Sequence, residues 1–136
     1  MDVEKPDCED LPKVYRALFE LLNEKADKED VAEVAEEFDT LTIHFKDCDY
    51  KFHVKLTEDG EYEIVEELEG RPKCMIITDS ETLHNMFLGE IDAVKAYMAG
   101  KIKFRGVSSL KMQKLFPKMG PLDECYREAL EKVGGD

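Results

Sequence analysis

The sequence predicts an α+β domain: one mostly antiparallel sheet with helices covering one of its faces. Three observations lead there. Apolar residues recur at helical spacing before residue 40 and after residue 78, but alternate with polar residues through much of Leu41 to Leu68. Charges of opposite sign fall opposite each other on one side of that alternating region. The length, 136 residues, is that of a single core.

Taken in order, Val14, Leu18, Leu21 and Leu22 lie on one helical face, after Asp10, Leu11 and Pro12, which suit a helix start. Asp27 caps a second helix, with Val31, Val34, Ala35 and Phe38 inward and Glu29, Glu33, Glu36 and Glu37 outward. The period then becomes two: Leu41, Ile43 and Phe45, then Phe52, Val54 and Leu56, form a hairpin. Apolar residues oppose apolar ones only if paired numbers sum to an odd value, and a loop at Cys48 and Asp49 sets Phe45 opposite Phe52 and His44 opposite His53. The turn Glu58-Asp59-Gly60 fits a three-residue loop with glycine in the left-handed position, which places Leu56 opposite Tyr62 and Val54 opposite Ile64. Lys55 then meets Glu63 and Lys51 meets Glu67, so this outer face is expected to be open to water.

After Gly70-Arg71-Pro72, the run Cys74 to Ile77 is apolar on both faces, as in a strand inside a sheet. Asp79 caps a short helix with Leu83, Met86 and Phe87, closed by Gly89; another runs from Asp92, with Val94, Tyr97 and Met98, to Gly100. Lys101 to Arg105 alternates once more, and helices follow from Ser108 and from Leu122.

Composition narrows the function. The chain is 43% hydrophobic and 38% charged, too apolar for disorder, with no apolar run of the ~18 residues that a membrane span needs. The segment from Met1 to Asp10 is acidic and polar, unlike a secretory signal, so a soluble cytoplasmic protein is expected. Cys8, Cys48, Cys74 and Cys125 are far apart without a C-x-x-C pair, which predicts reduced thiols. The net charge is -13, yet Gly100 to Lys118 holds six bases and no acid. Overall acidity excludes nucleic acid as partner. The basic stretch is either a solvated face or a rim for an anionic head group or a membrane surface.

The segment from Ile76 to Met119 resembles the sterol carrier protein 2 family. The resemblance rests on the strand end Ile76-Ile77-Thr78, the capped helix Asp79-Ser80-Glu81-Thr82-Leu83 closing at Gly89, and Ala99-Gly100-Lys101-Ile102-Lys103-Phe104-Arg105-Gly106 followed by the apolar helix Leu110 to Met119. With strands Leu41 to Leu68 in the expected order it covers residues 12–119 of a single domain spanning 1–136, and leaves a helical extension at 120–136. It implies a five-stranded sheet with helices on one face, an apolar tunnel between them, and non-catalytic binding or transfer of a lipid, fatty acyl or isoprenoid or sterol-like molecule. It implies no cofactor and no metal.

Five of six methionines, Met75, Met86, Met98, Met112 and Met119, lie in the second half, where flexible, polarisable side chains suit an adaptable pocket as well as a plain core. The ligand-binding candidates are Ile77, Leu83, Met86, Phe87, Tyr97, Met98, Ile102, Phe104, Leu110, Met112, Leu115, Phe116 and Met119, with Lys101, Lys103, Lys111 and Lys114 at the mouth. The ending Val133-Gly134-Gly135-Asp136 lacks the peroxisomal tripeptide of some family members. The helix from Leu122 is expected to cover an edge, plug the tunnel or pair with another subunit, leaving monomer and homodimer both open.

Two other functions compete. His44 and His53, facing each other beside Cys48, suggest a metal site, but two ligands are too few and no general base accompanies them. His84 is expected to be exposed. Ser80, Ser108 and Ser109 include helix starts, which gives a serine nucleophile no support. The stronger alternative is an interaction or oligomerisation module, with its core filled by its own side chains and no ligand.

Overall fold

The computed structural model describes residues 4–134; Met1, Asp2 and Val3, at the head of the acidic N-terminal segment, and the terminal Gly135-Asp136 lie outside the described residues. The elements run α1 Leu11–Lys25, α2 Lys28–Glu37, β1 Thr40–Phe45, β2 Tyr50–Leu56, β3 Tyr62–Val65, β4 Cys74–Thr78, α3 Ser80–Phe87, α4 Ala93–Met98, β5 Lys103–Arg105, α5 Ser109–Leu115, a 3-10 turn Phe116–Met119, and α6 Leu122–Gly134. The five strands form one sheet in the order β3-β2-β1-β4-β5, with β1 and β4 parallel and the other neighbours antiparallel.

Capping residues start the helices as their chemistry requires. The Asp27 carboxylate accepts from the Glu29 and Asp30 amides, Asp79 from Thr82, Asp92 from Val94, and the Ser108 hydroxyl from Lys111. Each satisfies an amide that the first helical turn leaves without a partner.

Alternation sets the two faces of the sheet. Leu41, Ile43 and Phe45 point the same way as Phe52, Val54, Leu56, Tyr62, Cys74 and Ile76, and all of these are buried. Helix α1 lies over them. Tyr15, fully buried, has ring centroids at 4.9 Å from Phe45, 6.0 Å from Phe52, 6.4 Å from Phe87 and 6.1 Å from Tyr126. One turn on, Phe19 stacks on Phe52 at 5.4 Å and meets the edge of Tyr62 at 5.0 Å.

The second hairpin has the predicted register, with Leu56 opposite Tyr62, Val54 opposite Ile64 and Lys55 opposite Glu63. Gly60 takes the left-handed conformation at φ +81°, and a Cβ there would lie 2.2 Å from the Lys28 carbonyl oxygen, so both backbone and space require glycine. The first hairpin differs by two residues: Phe45 pairs with Tyr50, Ile43 with Phe52, and Thr42, not His44, with His53. Lys46 to Asp49 form a tight turn with Asp49 at φ 49°, and the odd-sum rule is kept, so every side chain stays on its predicted face. His44 lies opposite Lys51 instead. The imagined histidine pair is not formed.

The outer face is also more covered than alternation alone suggests. The segment 66–73 runs from β3, at one edge, to β4, beyond β1. Its Leu68, Glu69 and Arg71 share a surface cleft with Thr40, Lys55 and Glu63, and the Lys73 amide donates to Thr40 Oγ1 at 2.8 Å. Thr42 is wholly buried on this side and hydrogen-bonds His53 Nδ1 at 2.8 Å. Glu67 and Lys51 both lie near that imidazole rather than paired in the ladder, which ends at Val65.

The expectation of four reduced thiols fails for two. Cys8 and Cys48 form a disulfide with Cα atoms 5.5 Å apart, whereas Cys74 and Cys125 are free and buried. Spacing could not show this, because folding brings together residues 40 apart in the chain. Beside the disulfide, Asp47 receives the Ser80 amide at 3.0 Å and the Ser80 hydroxyl at 2.5 Å, and Lys5 Nζ donates to Ser80 Oγ at 3.3 Å. Desolvation opposes ionisation of Asp47, but the Ser80 hydrogen bonds and Lys5 outweigh it and hold its pKa below the usual value. The N-terminal segment, the first hairpin turn and the start of α3 are thus fastened at one place.

Two measurements follow. Reducing the disulfide, or replacing it in Cys8→Ser/Cys48→Ser, is expected to lower unfolding free energy by about 2–4 kcal/mol in urea titrations, with reductant having no further effect on the double variant. Burial, then Lys51, depresses the His53 pKa below the ordinary 6.5, with Glu67 opposing. The folded state therefore takes up this proton less readily than the unfolded chain, and stability is expected to fall as pH drops through 6.5 towards the lowered value. His53→Gln should flatten the unfolding free energy across that interval.

Candidate functional site

The covered face of the sheet is densely filled where α1 crosses it, and an apolar groove opens where α3, α4, the 3-10 turn and the start of α6 meet. Met86 and Phe87 from α3, Ala93 from α4, Phe116 and Pro117 from the 3-10 turn, and Gly120, Pro121, Leu122 and Asp123 leading into α6 line a groove of about 300 Å³ that opens to solvent. Asp123 is the one charged residue in this lining. The volume is at the lower end of small-molecule sites, which are mostly apolar with few polar groups.

Local sequence builds each wall. The run of caps and glycines between Asp79 and Gly100 makes α3 and α4 short, so the chain turns twice around one end of the sheet. Pro117 favours a tight 3-10 turn after α5, and Gly120, at φ +125°, lets the chain pass Leu22 of α1 and Ala26 just beyond its end, where a Cβ would come within 2.8 Å of either side chain.

Beneath the groove lies a buried polar pair. His84, expected on an exposed helix face, is 3% exposed, and its Nδ1 lies 2.7 Å from the Tyr126 hydroxyl. The periodicity of α3 could not reveal this, because the partner comes from the far end of the chain. Tyr126 also packs on Phe87 at 4.9 Å, and burial pushes its phenol pKa well above the ordinary value. Helix α6 lies along α1, with Cys125, Tyr126 and Ala129 inward and Lys25 bonded to Glu128 at 2.7 Å. The C-terminal extension is thus part of the helical layer, and it fills space that would otherwise lie between α1 and α3.

Of the candidates named from sequence, Met86, Phe87 and Phe116 come together in the groove. Leu83, Ile102, Met112, Leu115 and Met119 are buried in the core. Phe104 is half-buried on the covered face, 6.0 Å from Tyr97 and 6.1 Å from Phe116. Ile77 points to the outer face, opposite His44 and Lys103, because it alternates with the inward Ile76. Tyr97, Met98 and Leu110 are exposed, at 43%, 80% and 64%. Lys101, Lys103, Lys111 and Lys114 are exposed too, Lys103 on the outer face beside Ile77, and Lys111 pairs with Glu37 at 2.5 Å. Ala93, Pro121 and Leu122 were not among the candidates: small or singly placed apolar residues at element ends carry no periodic signal.

No three His, Cys, Asp or Glu side chains among the described residues are grouped to hold a metal ion, and Cys48, considered as a third ligand, is in the disulfide. Among the described residues no helix is long and apolar enough to cross a membrane. Burial pushes the free Cys74 thiol up to about 12, which keeps it protonated at neutral pH.

Comparison with known proteins accounts for this arrangement. The SCP-2 sterol transfer family matches residues 16–117. The chain belongs to that family. A crystal structure of sterol carrier protein 2 superposes with a TM-score of 0.54 at 17% identity, covering 87% of this chain and 94% of that one. The ubiquinone synthesis protein UbiJ-SCP2 gives 0.56 at 14% identity, covering 87% and 96%. The sec-alkylsulfatase Pisa1 from a Pseudomonas species gives 0.60 at 20% identity over 78% of this chain, which spans only 16% of that enzyme. These likenesses show a shared fold. A search of curated proteins gives no match. The family match ends before α6, so Tyr126 and the α6 wall of the groove lie outside it.

Tyr126→Phe removes the hydroxyl that meets His84 and is expected to lower unfolding free energy by about 1–2 kcal/mol, as measured in urea, while leaving the ring packing and the circular dichroism unchanged.

Proposed function

We propose that this chain binds a hydrophobic small molecule, such as a lipid, a fatty acyl chain or an isoprenoid or sterol-like molecule, and carries it without altering it. The groove between α3, α4, the 3-10 turn and α6 carries this reading, because its lining is nearly all apolar and it opens to solvent. Membership of the SCP-2 sterol transfer family supports it. Met86 is well suited to such a wall, since an unbranched thioether repacks around guests of different shape at little strain. Phe87 and Phe116 offer flat apolar surface, and Ala93 adds a small side chain to the same wall.

The groove is small for a whole lipid. Movement of the 3-10 turn or of α6 would lengthen it, and Leu122 and Asp123, at the start of α6, already form part of its rim. Apolar walls distinguish weakly between chains and rings of similar girth, so a range of guests is expected rather than one.

The purified protein should yield lipid on extraction with organic solvent and should bind a fluorescent fatty acyl probe. Ala93→Trp, which fills the groove from a side chain that already faces it, should lower probe affinity by about tenfold or more without changing the fold measured by circular dichroism. A protein repeatedly free of lipid and indifferent to fatty acyl and isoprenoid probes would overturn the carrier reading in favour of an interaction module with a self-filled core.

A further inference from the structure

Helix α4 is built inside out. Its small residues, Ala93 and Ala96, face the protein, while Val94, Tyr97 and Met98, at positions i, i+3 and i+4, share the solvent side with exposures of 36%, 43% and 80%. On the adjoining α5, Leu110 is 64% exposed, whereas Met112 and Leu115 are buried. These four are the large hydrophobic residues exposed among the described residues, and they fall on two neighbouring helices. Their surroundings are equally uneven. From Ala93 to Lys118 there are seven bases and no acid, in a chain whose net charge is -13. Lys111 and Lys118 are held by Glu37 and Glu33 of α2, and Lys103 and Arg105 point to the outer face of the sheet; Lys95, Lys101 and Lys114 are exposed.

We infer that the solvent face of α4 and α5 is a docking surface for an anionic phospholipid bilayer, with Tyr97, Met98 and Leu110 entering the interface and Lys95, Lys101 and Lys114 meeting the lipid phosphates. Apolar side chains standing out of a basic surround match a bilayer interface, where the acyl boundary takes the first and the anionic head groups attract the second. A second copy of the chain fits less well in a face-to-face contact, because it would bring the same lysines against one another.

This inference rests on the carrier reading for its purpose and adds where cargo is exchanged. Tyr97 stacks on Phe104 at 6.0 Å, Phe104 lies 6.1 Å from Phe116, and Phe116 lines the groove. Ala93 lines it from the opposite side of the same helix that bears Met98. Aromatic surface therefore runs unbroken from the docking face to the groove, so cargo passing between bilayer and protein has an apolar path.

Co-sedimentation of the full-length protein with vesicles of phosphatidylcholine, alone or mixed with phosphatidylserine, tests the surface. Binding is expected to the anionic vesicles, weakening as salt is raised. Met98→Asp/Leu110→Asp should abolish it, and Lys101→Glu/Lys114→Glu should weaken it by about tenfold or more. These side chains are exposed, and thermal unfolding of each variant checks that the fold is kept. Absence of binding to anionic vesicles, binding unchanged in Met98→Asp/Leu110→Asp, or a dimer in solution that this variant dissociates while vesicle binding persists would each overturn the proposal. The fatty acyl probe assay, run without vesicles, separates the two readings. A wild-type protein that docks on anionic vesicles but binds no probe keeps the docking surface and loses the carrier reading; one that binds probe but no vesicle does the reverse.

Discussion

Everything in this molecule depends on how Tyr15 and Phe19 of α1 seat on the apolar face of β1 and β2. Tyr15 touches four aromatic rings drawn from β1, β2, α3 and α6, which are distant in sequence, so one side chain ties the sheet to both ends of the helical layer. Burying such rings is worth several kcal/mol between them, and truncating Tyr15 would leave a cavity at the junction of four elements. Its hydroxyl stays neutral there, since burial, then the nearby Tyr126 and Asp47, push its pKa well above the ordinary value. The dense seam also fixes where a guest can go. With the α1 side of the core full, the apolar groove lies where the short helices α3 and α4 and the 3-10 turn meet the start of α6.

The edges of the sheet are guarded by side chains rather than by further strands. Asn23 of α1 brackets Tyr62 at the start of edge strand β3, accepting from its amide at 2.7 Å and donating to its carbonyl at 2.9 Å, much as a neighbouring strand would. The Tyr62 hydroxyl then donates to the Met119 carbonyl at 2.8 Å, so the same residue anchors the 3-10 turn that walls the groove. At the other edge, β5 presents Lys103 and Arg105 outward, a charged rim that discourages pairing with another chain.

What could be read from the sequence was what local physics decides. Alternation separated the faces of β1, β2 and β3, but not of β4, whose Ile77 was counted with the pocket and lies on the outer face; carboxylates and a serine marked four helix starts, and Gly60 set the second hairpin. The element order led to the family. Where the outcome turned on distant contacts, the reading stopped short. The odd-sum rule leaves registers two residues apart equally acceptable, and the turn at Lys46 to Asp49 chose between them. The crossing of 66–73 over the outer face, the disulfide and the burial of His84 all depend on partners far along the chain. The groove was half legible: the family resemblance brought Met86, Phe87 and Phe116 forward, but periodicity has no way to tell an apolar residue in the core from one beside a void, nor to mark a residue as small as Ala93 in the wall.

The Cys8–Cys48 link gives the molecule a dependence on the redox state of its surroundings that its other contacts lack. It holds residues 4–10 against the turn whose Asp47 grips Ser80, and so bears on α3, one wall of the groove. Where thiols are kept oxidised, that corner is stapled; in a glutathione-buffered compartment it relies on hydrogen bonds, those of Lys5, Asp47 and Ser80 among them. One polypeptide therefore has two heat tolerances, and samples prepared with and without dithiothreitol are different materials.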